Sequence, residues 1–138
     1  MLKLLDAFPL LLLAVIFYAA FVAVTGSDSV PTVLGSPIFH MPIISGDSLA
    51  FSRGDLFVLF TIVALFVEVL KSTNTGAISL LNHGLSTAVM VLCMVLLLIA
   101  RGFGTSTFLF ITLLTLFDVV GGFVITIIAA RRDLSVGG

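Results

Sequence analysis

Residues Ser72–Ala100 read STNTGAISLLNHGLSTAVMVLCMVLLLIA, and residues Gly102–Ala130 read GFGTSTFLFITLLTLFDVVGGFVITIIAA. The first stretch holds no Lys, Arg, Asp or Glu, and the second holds only Asp118. A bilayer core about 30 Å thick is crossed by about 20 predominantly apolar helical residues, so each stretch predicts a membrane span. Gly102 and Gly26 stand where helices should stop, and Asn74-Thr75-Gly76 and Thr105-Ser106 offer caps for the two spans.

Two more spans precede them. Ala7–Ser27 carries no charge and is long enough to cross. Lys3 before this apolar run resembles the start of a signal peptide, but no small-x-small cleavage site follows, so an uncleaved anchor is expected. Leu56–Leu70 is short for a span and contains Glu68, but its ends extend it. Ser52-Arg53-Gly54-Asp55 has the Ser-x-x-Asp form of a capping box, in which hydroxyl and carboxylate satisfy amides that lipid cannot. Counted from Arg53 to Lys71, the helix is roughly 28 Å long at 1.5 Å per residue.

The expected fold is therefore an all-α integral membrane protein. It is a single transmembrane domain, a four-helix antiparallel bundle with helices at about 5–25, 53–71, 76–100 and 105–130. Composition agrees. The 138 residues are 60% hydrophobic and 9% charged, with 6 basic and 7 acidic residues. A soluble domain carries about 25% charged residues, so this chain cannot wet a water-facing surface of its size. A formal charge of −1 gives no electrostatic footprint for nucleic acid, which is excluded as a partner.

Lys3, Lys71, Arg131 and Arg132 fall on one side of such a bundle, against Arg53 and Arg101 on the other. The positive-inside rule then makes both termini cytoplasmic, in a multi-pass protein of the cell (inner) membrane. The loop 27–52 lies outside. It is too apolar for a solvated tether, and Phe39, Met41 and Ile43 alternate with His40 and Pro42 before the turn Ser45-Gly46-Asp47. Leu49 and Phe51 alternate again. A short extracytoplasmic β-hairpin is expected, with Pro42 confining its strand to an edge and the apolar face against the helices or the lipid boundary. Phe39, Met41, Ile43, Leu49 and Phe51 form its candidate contact surface.

Ionisable groups at membrane depth cost about 2.5–3.5 kcal/mol on insertion scales, so Asp118, His83 and Glu68 each need a reason. Helical spacing places Ser79, Asn82, His83, Ser86 and Thr87 on one face of the third span. It likewise aligns Thr115, Asp118 and Gly122 on the fourth span, and Thr61, Ala64 and Glu68 on the second. If these faces meet, Asp118 lies level with Ser86 and Thr87, and Glu68 lies nearer Ser79 and His83. The polar core is expected to comprise Glu68, Asn82, His83, Ser86, Thr87, Thr115 and Asp118. Its plainest role is adhesion: Asp118 bonded to Ser86 or Thr87, His83 to a neighbouring polar group, and Glu68 paired with Lys71. Its sharper role is a proton or ion path through Asp118, His83 and Glu68.

Catalytic signatures are missing from the sequence. There is no P-loop, no Gly-x-Gly-x-x-Gly and no His-Glu-x-x-His, and Gly46-Asp47-Ser48-Leu49-Ala50 ends in Ala where a nucleophile elbow needs Gly. The lone Cys93 forms no redox pair, and His40 and His83 lie at opposite sides, unfit as paired haem ligands within one chain. No cofactor and no metal site are expected. The sequence thus predicts a non-enzymatic membrane protein working through helix packing and its outer loop. The bilayer and a second copy or other membrane subunits would be its partners; a small oligomeric transporter is the alternative.

Overall fold

The computed structural model describes residues 8–72 and 77–136. Helix α1 spans Leu11–Thr25, and a short helix α2 spans Val30–Gly35. Strands β1 (Pro37–Pro42) and β2 (Ser48–Ser52) follow, then helices α3 (Arg53–Lys71), α4 (Ala77–Ile99) and α5 (Ser106–Val136). The chain is mostly helical, with one two-stranded antiparallel sheet among the described residues.

The helix ends follow from local chemistry. Gly26 ends α1 at φ +81°, a backbone region that L side chains rarely adopt, and its N–H donates to the Val22 carbonyl at 3.0 Å. Ser52 and Asp55 form the reciprocal box that starts α3: Asp55 N–H donates to Ser52 Oγ at 3.2 Å, and Ser52 N–H to Asp55 Oδ2 at 2.8 Å. Thr105 Oγ1 accepts from Phe108 N–H at 3.1 Å and caps α5. The proposed cap Asn74-Thr75-Gly76 lies outside the described residues. Helix α5 runs on past Ala130 to Val136, because Arg131-Arg132-Asp133-Leu134 contains no helix breaker.

Contacts at the helix ends fix an up-down-up-down order. The segment entering α1 meets the last turn of α3, through Leu10 to Glu68 and Phe8 to Lys71. At the other end, Tyr18 of α1 reaches Gly102 and Thr105, between α4 and α5. Gly54 at the start of α3 approaches Thr107 at the start of α5 so closely that an added Cβ would sit 2.6 Å from Thr107 Oγ1.

An aromatic core fills the hairpin end. Tyr18 is fully buried, with ring centroids 4.8 Å from Phe108, 5.4 Å from Phe57 and 5.5 Å from Phe103. Its hydroxyl lies 2.6 Å from Thr105 Oγ1 and 3.2 Å from the Gly102 carbonyl. A buried phenol needs such partners, and here they tie α1 to the α4–α5 corner.

Among the described residues, two segments, Leu81–Ile99 and Ser106–Ile125, are long and apolar enough to cross a membrane, not the four that the sequence predicts. Helix α1 has 15 residues, and the 19 residues of α3 include Arg53, Asp55, Glu68 and Lys71. The loop 27–52 also differs from a bare hairpin, since Pro31 and the apolar Val30 and Leu34 build α2 and bury it against the helices. The hairpin pairs Phe39 with Phe51, Met41 with Leu49 and Pro42 with Ser48, and is irregular between Pro37 and Phe39. The turn is where the sequence placed it: Gly46 N–H donates to the Ile43 carbonyl, and Gly46 adopts φ +90°. All of β1 is exposed, so the hairpin does not lay an apolar face on the helices. The Phe39 and Phe51 rings stack on each other instead, at 5.2 Å.

Candidate functional site: a buried polar cluster at the Lys71 end

The last turns of α3, the first turns of α4 and the middle of α5 bring polar side chains together. Thr61, Ala64 and Glu68 share the buried face of α3, as a three- and four-residue step requires. Thr115, Asp118 and Gly122 do so on α5, and Asn82 and Ser86 on α4. Glu68 is 1% exposed, Asn82 6%, Ser86 3% and Asp118 6%.

Glu68 is the centre of one half. Its carboxylate accepts from the Leu10 backbone N–H at 3.0 Å, from Lys71 Nζ at 3.2 Å and from Asn82 Nδ2. Lys71 Nζ also donates to the Phe8 carbonyl at 2.7 Å. One carboxylate thus joins three segments, and the donors around it compensate a charge that burial would otherwise make costly. The pairing of Glu68 with Lys71 is as the spacing suggested, but it is not a solvated surface contact: the acid is buried. The acceptor role of Glu68 for the Leu10 amide was not legible, because the segment before α1 has no pattern that points to it.

Asp118 and His83 form the other half. Ser86 faces Asp118 across the α4–α5 contact. Thr87, expected on the same polar face, turns back to its own helix and donates to the His83 carbonyl at 3.0 Å. Thr115 likewise donates to the Thr112 carbonyl at 2.7 Å, since a helical threonine reaches the preceding turn more easily than a neighbour. The His83 ring packs edge-on against Phe123 at 4.3 Å, and an added Cβ on Gly122 would lie 2.5 Å from His83 Nδ1. Gly122, which the spacing aligns with Thr115 and Asp118, is the seat of an imidazole. The side chain of Ser79 lies outside the described residues.

Between the halves lies a cavity of about 10 Å³, lined by Glu68, Ser72, Asn82, His83, Ser86, Asp118 and Gly122. Asn82 Oδ1, His83 Nε2 and Ser86 Oγ are buried in this region and have no hydrogen-bond partner among the described residues. No group of three or more His, Cys, Asp or Glu among the described residues has the geometry to hold a metal ion. Elsewhere, the hairpin residues Phe39, Met41 and Leu49, with Ile43 beside them, are exposed and Phe51 is half-buried, at the opposite end of α3 from this cluster. No protein-family model, curated protein or solved structure matches the chain.

Proposed function

We propose that this is a polytopic membrane protein of four helices, without catalytic activity, that acts through contacts as an oligomer or an accessory subunit of a membrane complex. The observation that carries the membrane reading is an inversion of polarity. Glu68, Asn82, Ser86, Thr115 and Asp118 are buried, whereas Phe66, Leu98 and Ile99 are 64%, 79% and 78% exposed. Exposed apolar residues of this size continue along α3, α4 and α5 as Val63, Leu92, Val95, Phe117, Val120 and Val124. Water would penalise such a surface at about 25 cal/mol per Å², and acyl chains would not. In this reading α1 and α3 also cross, with the charged ends of α3 at the two interfaces. The termini face the cytoplasm and the hairpin lies outside, as the balance of Lys and Arg favours.

The contact role rests on the hairpin, which presents Ile38, Phe39, Met41 and Leu49 rather than burying them. Native mass spectrometry from nanodiscs tests it. The expected spectrum shows more than one copy, or a second subunit bound; a strict monomer that binds nothing overturns the reading. The unpartnered polar atoms beside Asp118 favour a second reading, a small oligomeric transporter or proton and ion pathway through Asp118, His83 and Glu68. In proteoliposomes, flux lost on Asp118→Asn supports it, and flux unchanged refutes it.

A further inference from the structure

The cavity beside Asp118 is rich in acceptors and short of positive charge. Lys71 is the cation at this end among the described side chains, and it is committed to Glu68 and to the Phe8 carbonyl. Glu68 and Lys71 therefore cancel. Asp118 remains as one buried carboxylate in excess, and an unpaired charge away from water is strongly disfavoured. The Ser86 hydroxyl faces Asp118 and the His83 ring lines the cavity, yet among the described side chains neither is a fixed cation. Asn82 has spent Nδ2 on Glu68, leaving the acceptor Oδ1 unpartnered, and Ser72 has given its hydrogen to the Val69 carbonyl. Ser86 Oγ is unpartnered as well, and Asn82 and Ser86 are both more than nine-tenths buried.

Size and charge together limit the occupant. About 10 Å³ admits one particle of a water's dimensions. One excess negative charge calls for a monovalent ion. Amide, hydroxyl and carboxylate oxygens are hard ligands and select a hard cation, and the described residues hold no thiolate or imidazole cluster for a softer metal. We propose that this cavity binds a single small monovalent cation, Na+, at the oxygens of Asn82, Ser86 and Asp118. The site bridges α4 and α5, so occupancy strengthens their contact whether or not the ion ever crosses the membrane.

Thermal unfolding of the purified full chain in liposomes, at fixed pH and ionic strength, tests this in NaCl, LiCl, KCl and choline chloride. Occupancy raises the midpoint by mass action. The expected result is a midpoint several degrees higher in NaCl and LiCl than in choline chloride, with KCl weaker. Ser86→Ala and Asp118→Asn should both lose this increment, while Asp47→Asn in the exposed turn keeps it. A second arm varies pH from about 8 to 5 in choline chloride. Among the described residues, the titratable groups lining the cavity are Glu68 from α3, His83 from α4 and Asp118 from α5, with Lys71 bonded to Glu68 behind it; of the segment before α1, residues 8–10 offer only backbone groups. A midpoint that rises on acidification in the parent and in His83→Gln, but not in Asp118→Asn, with no difference among the salts, marks a proton on the Asp118 carboxyl in place of a cation and overturns the proposal. Equal midpoints in every salt and at every pH overturn the proposal, as does a sodium increment that survives in both Ser86→Ala and Asp118→Asn.

Discussion

Glu68 is the residue on which the Lys71 end turns, because three donors from three segments converge on its carboxylate. Removing one member of a buried pair strands the others, at about 3–5 kcal/mol. Glu68→Ala should lower unfolding stability in mixed micelles by that order, and Glu68→Gln by less, since its amide oxygen still accepts one of the donors. Equal losses would show that the carboxylate's hydrogen bonds do not matter. At Gly122 the argument is steric. A methyl group there meets the His83 ring, and overpacking of this kind costs about 1–3 kcal/mol. Gly122→Ala should destabilise the bundle, whereas Gly121→Ala, with open space around it, should not; the same unfolding titration distinguishes them. The periodicity of α3, α4 and α5 made the polar faces legible residue by residue. What it could not show was which hydroxyls look outward from their own helix: Thr87 and Thr115 lie on the right faces yet bond to the preceding turn.

At the scale of elements, caps and corners set where the helices begin and stop. The Ser52–Asp55 box could be read from four residues because its chemistry is local, and Gly26 and Gly102 for the same reason. Ser52→Ala should cost about 1 kcal/mol, seen as a lower thermal midpoint with the helical signal of the folded protein unchanged. The Tyr18 corner is the opposite case. Its partners Gly102 and Thr105 are far away in sequence, and a single Tyr within an apolar run gives no sign of them. Tyr18→Phe should cost about 1 kcal/mol, the net worth of a buried hydrogen bond. In a double-mutant cycle with Thr105→Ala, the two losses should fall short of additivity, because they remove the same contact. Full additivity would mean that the two hydroxyls act independently. Helix α2 was illegible for another reason: at 6 residues it is too short for a periodic pattern, and its formation depends on burying Val30 and Leu34.

For the molecule as a whole, composition spoke more clearly than any motif, since so few charges leave most of the surface to apolar side chains. The structure adds the direction in which they face. Polar groups are gathered along the α3–α4–α5 contacts, and bulky apolar ones stand outside. The hairpin was legible as alternation and turn, but its stance was not, because alternation marks a strand's two faces without saying what either touches. Helix count was less legible still: α3 is amphipathic with charged ends and α1 is short, so among the described residues two segments pass on length and hydropathy alone. Spin-label accessibility in liposomes tests the inversion most directly, with nitroxides placed singly at Phe66, Leu92, Phe117 and Val124 in a Cys93→Ala background. The account predicts that dissolved oxygen reaches all four labels while a water-soluble nickel chelate reaches none. Labels open to the chelate on α3, α4 and α5 alike would contradict it.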